Sequence, residues 1–375
     1  MPIRVAILKE TQPGENRVAL VPSMVAKLSS LGVEIAVEAD AGALSYFPDA
    51  LYENVEIVSD VSIISHANIV MSVQMPSDAQ IAQMAEGCIL VCFASAHLHS
   101  AEIKKLQAHK VTCFAVELVP RISRAQAIDA LSSQASVAGY KAALMAASLT
   151  GRFFPMLTTA AGTIRPSKAL IMGAGVAGLQ AIATCRRLGA IVEAYDVRKV
   201  TKEQVESLGA KFVELPVDAE TEGGYARALT EEEQAQANEL VAKHVAGANA
   251  VITTAAIPGK PSPRLISKDM VEAMKPGSVI IDLAAEGGGN CELTEPGKEI
   301  NHKGVVIYGP LNVPSMLPID ASEMYSKNLF NLLGLFVREG EINLDWEDEI
   351  IASALTHDGE IRHEPTKAMI EGEAS

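Results

Sequence analysis

The chain has 375 residues, 49% hydrophobic and 21% charged, which is material for two or three domains of roughly 150 residues and too apolar for a disordered polymer. Its 31 basic against 46 acidic side chains leave a net charge of −15, which argues against nucleic acid and against an anionic membrane surface as direct partners, because both need clustered Lys and Arg. The five cysteines (Cys88, Cys92, Cys113, Cys185, Cys291) form no CxxC pair and no Cys/His group of zinc spacing, so no metal site is expected and a reducing compartment suits them.

The N-terminus opens on a strand-like segment, Ile3-Arg4-Val5, with no leader of signal-peptide type, and no run approaches the roughly 18 apolar residues of a membrane span. Short β-branched runs at 4–8, 34–38, 69–73, 89–93 and 111–116 read as strands, separated by helical runs such as 101–109. An Ala-rich, Pro-free stretch at 134–149 predicts a long joining helix. Further strands are expected at 168–172, 191–195, 211–215, 250–254, 278–283 and 305–308, and a helix at 323–337 returns the chain to the first domain. Runs such as Val279-Ile280-Ile281 suit strands covered on both faces. Thr201 with Gln204, and Thr230 with Glu233, read as capping boxes, and Gly209 as a helix stop. The fold class is therefore α/β: two Rossmann-like domains with parallel sheets separated by a cleft, one of residues 1–136 with 321–375 and one of 137–320.

Two segments carry chemistry. Gly173-Ala174-Gly175-Val176-Ala177-Gly178 lies between a predicted strand and a predicted helix, the context a dinucleotide fingerprint requires. Gly173 allows the tight turn, Gly175 lets a pyrophosphate approach the backbone and the helix N-terminus, and Gly178 lets helix and strand pack closely. Asp196 ends the next strand, where a carboxylate accepts from ribose hydroxyls and repels a 2′-phosphate, favouring NAD(H) over NADP(H). Arg198 tempers that preference, and is expected either to stack on adenine or to lie on the surface. The second segment, residues 120–133, follows the last strand of the first domain and packs Arg121, Gln126, Asp129 and Ser132 into one loop. It reads either as a polar turn leading into a helix or as a holder for the nicotinamide end, with Arg121 on phosphate or ribose, Gln126 on the carboxamide and Asp129 locking the arginine. The polar stretch 217–230, with Gly223-Gly224-Tyr225, is too long for an ordinary connection and is either a surface insertion or a lid.

The stretch 119–140 resembles the nicotinamide-site loop of proton-translocating transhydrogenases. The likeness continues through Lys9-Glu10-Thr11, Glu15-Asn16-Arg17-Val18-Ala19, Gly151-Arg152-Phe153-Phe154, Asp196-Val197-Arg198, Gly223-Gly224-Tyr225, Ile257-Pro258-Gly259 and Gly289-Asn290-Cys291, and so spans nearly the whole chain. It implies that Arg121, Gln126 and Asp129 act at the nicotinamide, and that Ile122, Ser123, Ser132, Gly173, Gly175, Val176, Gly178, Asp196, Val197, Arg198, Gly224, Tyr225 and Ala256 line the NAD(H) site. It implies an AB-specific NAD(P)+ transhydrogenase, NADH + NADP+ + H+(out) ⇌ NAD+ + NADPH + H+(in), in which this subunit holds NAD(H). NADP(H) sits on a partner beta subunit, membrane-spanning subunits carry the proton, and the subunit is a homodimer on the inner face of a bacterial cytoplasmic membrane.

Alanine dehydrogenase is similar too, and is the alternative. Its substrate-binding arginine matches Arg17, but its lysine falls on Gln74 and its catalytic aspartate in the segment holding Glu286. His97 and His99 stand near its catalytic histidine; without the lysine they read better as loop residues.

Overall fold

The structure is a computed structural model that describes residues 2–60, 62–214, 230–256 and 259–372; the expected contacts of Gly224 and Tyr225 therefore lie outside the described residues. The chain divides into two compact units, Met1–Gln134 with Pro314–Ser375, and Ala135–Val313.

The first unit begins with six strands, β1 (Ile3–Ile7), β2 (Val33–Glu38), β3 (Glu56–Val58), β4 (Ile69–Gln74), β5 (Ile89–Phe93) and β6 (Thr112–Ala115), all parallel to their neighbours in this set. Successive side chains of β1 enter different cores. Val5 and Ile7 pack with Leu329, Leu332 and Phe336, whereas Ala6 packs with Val70 and Leu90 on the other face. Because both faces are covered, the central strands read as largely apolar runs, as Ile89–Phe93 does.

The second unit opens with a small hairpin, β7 (Leu157–Thr159) and β8 (Gly162–Ile164). Its main sheet holds β9 (Lys168–Met172), β10 (Ile191–Tyr195), β11 (Lys211–Phe212), β12 (Ala250–Thr253), β13 (Val279–Asp282), β14 (Glu299–His302) and β15 (Val305–Tyr308), in the order β11-β10-β9-β12-β13-β15-β14. Only β14 runs antiparallel within it, so the unit is a doubly wound sheet, and the order turns back at β9 and β12. The chain then returns to the first unit, forms the pair β16 (Val337–Arg338) and β17 (Glu341–Ile342), and adds β18 (Thr356–His357) and β19 (Glu360–Ile361) antiparallel beside β6.

Helix boundaries depart from the predicted ones for local reasons. The joining helix spans Ala130–Leu149, starting four residues early, because Asp129 accepts the Ser132 N–H at 2.8 Å and caps the first turn. The returning helix spans Pro318–Phe336; proline at its first position fixes φ and supplies a start that apolar periodicity does not reveal. The capping box at Thr201 does not form. A 3-10 turn over Lys199–Thr201 precedes the helix Lys202–Ser207, and the Thr201 hydroxyl donates to the Arg198 carbonyl instead. Gly209 does end that helix, with φ +78° and its N–H on the Glu206 carbonyl. In the second box the Glu233 side chain lies outside the described residues.

Candidate functional site

In the second unit the fingerprint lies at the carboxyl end of β9, where the strand order reverses. Gly173 has φ +101°, and its N–H donates to the Tyr195 carbonyl at 2.8 Å, tying the turn to β10. A Cβ on Gly178 would lie 1.8 Å from the Gly173 oxygen, so the helix Val176–Arg187 leaves the sheet at a distance only glycine allows. A Cβ on Gly175 would meet nothing within 4 Å; this residue and Val176 are exposed at the helix start. Backbone N–H groups in open space at a helix N-terminus are what a pyrophosphate requires, so these residues fit a dinucleotide.

Asp196 follows β10 and is nearly enclosed. Its Oδ2 accepts the Ala174 N–H at 2.7 Å, so the carboxylate is bonded into the glycine turn itself. Arg198 folds back upon it: the backbone N–H and Nε reach Oδ1 at 2.8 and 3.0 Å, and Nη2 reaches Oδ2 at 3.0 Å. Burial opposes ionisation, but these donors outweigh it and hold the Asp196 carboxyl below its ordinary range. Arg198, an exposed residue, is thus also the partner of Asp196. Val197 and Ala256 are exposed beside these turns.

Three residues to which sequence reasoning gives no role hold this end of the sheet. The Thr254 hydroxyl donates to the Met172 and Gly173 carbonyls at 3.3 and 3.2 Å. Asn290 is fully buried; it accepts the Ala255 N–H at 3.0 Å and donates to the Ala255 and Pro263 carbonyls at 2.7 and 2.8 Å, clasping the two ends of the loop after β12. Asp282, also fully buried, gathers the N–H groups of Ala284 and Cys291 and the hydroxyls of Thr253 and Thr294. Asn290 falls in the Gly289-Asn290-Cys291 motif, but only its partners, distant along the chain, reveal what it does.

In the first unit the loop after β6 presents Arg121, Ser123 and Gln126 to solvent, with Ile122, Asp129 and Ser132 half-buried. Among the described residues the Arg121 guanidinium has no hydrogen-bond or ion-pair partner. Asp129 does not lock it. Both Asp129 oxygens turn to the helix start, taking the Ser132 N–H and, at 2.6 Å, the Ser132 hydroxyl. The arginine that is locked is Arg124, bidentate on Asp348 at 2.7 and 2.6 Å.

A second polar group lies within the same unit. Arg17 and Glu15 form a buried pair, Nη2 to Oε2 at 2.6 Å and Nε to Oε1 at 2.8 Å. Arg17 Nη1 also donates to Gln134 at 2.8 Å, and Gln74 and Ser315 each donate to Glu15 at 2.8 Å. Burial pushes the Glu15 carboxyl up, but the Arg17 hydrogen bonds and charge bring it down to about 2. Next to it burial raises Glu10 to about 8, against the lowering effect of the Val73 and Gln74 N–H groups.

With this geometry in place, comparison with known proteins decides the family. The description "Alanine dehydrogenase/PNT, N-terminal domain" matches residues 6–138, and "Alanine dehydrogenase/PNT, C-terminal domain" matches 142–364. The chain belongs to the alanine dehydrogenase/PNT family. It is 47% identical to the first part of NAD(P) transhydrogenase subunit alpha of Rhodospirillum rubrum, over 96% of this chain and 98% of that one. It is 46% identical to "NAD(P) transhydrogenase subunit alpha" of Haemophilus influenzae, over 95% of this chain and 71% of that longer one. A solved structure of transhydrogenase from Sinorhizobium meliloti, 42% identical, superposes with a TM-score of 0.84 over 96% of this chain and 98% of that one.

Position 74 is a neutral amide donating to Glu15, and Glu286 is exposed and accepts the Asn312 N–H at 2.8 Å. His97 is exposed, and His99 Nδ1 lies 3.8 Å from Glu102 at the start of the helix Ser100–Ala108, so both stand in the loop before that helix. All five cysteines are buried free thiols; burial raises Cys88 and Cys185 to about 12. No helix among the described residues is long and apolar enough to cross a membrane.

Proposed function

We propose that this chain is the NAD(H)-binding component of a proton-translocating NAD(P)+ transhydrogenase, exchanging hydride directly with NADP(H) held on a partner beta subunit. The observation that carries the reading is the nucleotide crevice: an open Gly175 at a helix start, with the carboxylate of Asp196 bonded to the same turn. A carboxylate in that place favours a ribose diol and repels a 2′-phosphate, hence NAD(H) on this chain and NADP(H) elsewhere. The bound dinucleotide supplies the hydride from its nicotinamide. What the chain contributes is binding and alignment: the N–H groups around Gly175 and Val176 for pyrophosphate, Gln126 for the carboxamide, and Arg121 as a cation with no partner among the described residues.

Direct transfer needs no acid–base pair, which agrees with Arg17 being enclosed by Glu15 and Gln134. Membrane-spanning partner subunits would couple the exchange to proton passage and hold the chain at the inner face of a bacterial cytoplasmic membrane. A homodimer is supported by the hairpin β7–β8, whose six strand residues are all exposed, beside exposed Phe153 and Met156. Alanine dehydrogenase activity is the second reading, favoured by the presence of Arg17.

One experiment separates them. The purified chain is mixed with the NADP(H)-binding component of a transhydrogenase and supplied with NADH and NADP+; in parallel it receives NADH, pyruvate and ammonia. NADPH formed only in the mixture supports the proposal. NADH consumed only with pyruvate and ammonia replaces it with the second reading.

A further inference from the structure

We infer that the Arg198 side chain is a self-ligand of Asp196, occupying the acceptor positions that the adenosine ribose takes over when NAD(H) binds; the inference rests on the dinucleotide reading above. A carboxylate offers about four acceptor positions. All four are filled in this structure: Oδ2 by the Ala174 N–H and Arg198 Nη2, Oδ1 by the Arg198 N–H and Nε. Two of these donors are main chain. They belong to the glycine turn and to the turn after β10, so losing them would dismantle the crevice. The other two belong to one guanidinium, on a side chain 54% exposed, while the Asp196 side chain is only 5% exposed.

A ribose diol brings two hydroxyl donors and needs two acceptor positions on one carboxylate. The positions that can be vacated without unmaking backbone structure are the two that Arg198 holds. Binding therefore exchanges two bonds for two: both ribose hydroxyls donate to Asp196, and the guanidinium moves into water, which its exposure allows. The pair has two consequences. It keeps a nearly enclosed carboxylate satisfied and ionised before ligand arrives, and it lowers the affinity for every ligand that carries the adenosine ribose. A subunit that hands on hydride and then exchanges NAD+ for NADH in each turnover gains from such a weakened grip.

The test is calorimetric binding of NADH and of reduced nicotinamide mononucleotide, which lacks the adenosine, to the full chain and to Arg198→Met and Arg198→Lys. Arg198→Met is expected to tighten NADH by about fivefold, the upper end for an ion pair with one exposed partner. Arg198→Lys, which keeps charge but not the side-on fork, should fall between. The mononucleotide constant should not change. NADH bound more weakly by Arg198→Met would mean that the guanidinium touches the ligand, and an unchanged constant that it does not compete; either result overturns the inference, as does a parallel shift in the mononucleotide. Absence of NADH binding to the wild-type chain would instead overturn the dinucleotide reading and the inference with it.

Discussion

Within the glycine turn, Gly178 serves packing, and the proposed function gives Gly175 to binding; alanine at each should separate the two. At Gly178 an added methyl would sit 1.8 Å from the Gly173 oxygen and 2.8 Å from its carbon, both backbone atoms that cannot rotate away. Overpacking of this kind costs typically 1–3 kcal/mol; we take about 3 kcal/mol here, because the helix or the turn has to move. Alanine recovers about 1 kcal/mol of helix propensity over glycine, leaving a net loss of about 2 kcal/mol for Gly178→Ala. A unit the size of Ala135–Val313 responds with a fall in Tm of roughly 2–4 °C per kcal/mol, so a drop of roughly 4–8 °C is expected. Gly175 has φ −78° and ψ −169°, extended backbone open to alanine, and its added methyl meets nothing within 4 Å. Gly175→Ala should therefore melt as wild type does, within about 0.5 kcal/mol. In the proposed function the same methyl stands where phosphate oxygens would approach the helix N–H groups. Losing two charge-assisted bonds, at about 1.5–3 kcal/mol each, weakens NADH by more than about 100-fold. Circular-dichroism melts and calorimetric titration read the two effects separately. Wild-type NADH affinity in Gly175→Ala would refute the placement of the pyrophosphate, and a wild-type melt in Gly178→Ala would refute the packing argument.

Gln126→Asn, on an exposed side chain, should leave stability unchanged and slow hydride transfer far more than it weakens NADH; stopped-flow transfer at the wild-type rate removes Gln126 from the site. Asp196→Ala should weaken NADH measurably by calorimetry, and an unaltered dissociation constant would count against the ribose contact. Acid should unfold the first unit through the Glu15–Arg17 pair. The Glu15 carboxyl drops from 4.5 to about 2 on folding, so its contribution, about 3 kcal/mol, is complete above pH 4.5 and lost as pH falls towards 2. The double variant Glu15→Gln/Arg17→Met should show a flatter dependence of Tm on pH across that acid range; an identical slope would show that other carboxylates govern the transition.

The strands are legible in the sequence because a parallel sheet covered on both faces needs apolar side chains at most positions, and β5, β9, β10 and β15 lie where their runs predict. Among the strands that periodicity misses, β3, β14 and β19 are two to four residues long with exposed positions and lie at sheet edges, and the two-residue β18 lies beside one, all paired through main-chain bonds that carry little side-chain signature. Gly173, Gly175, Gly178 and Asp196 are legible for a related reason: a backbone brought close to phosphate constrains residue type at fixed spacing.

Partnerships between charged side chains are not legible in the same way. Asp129 reads as the partner of Arg121 and instead caps its own helix; Arg198 reads as an adenine or surface residue and, though exposed, also holds Asp196. Both outcomes favour the partner two or three residues away, which costs almost no loop-closure entropy, over one that must be brought from farther off.

Amino-acid order by itself determined the α/β class, the dinucleotide fingerprint and the residue types of the polar loop after β6, because periodicity and glycine spacing are local properties of a chain. Only the tertiary structure decided which donors fill the carboxylates of Glu15, Asp196 and Asp282, and that Asn290 clasps the loop after β12. Hydrogen bonds are satisfied in space, and a buried acceptor takes whichever donor the packed fold brings within reach, whatever its distance along the sequence.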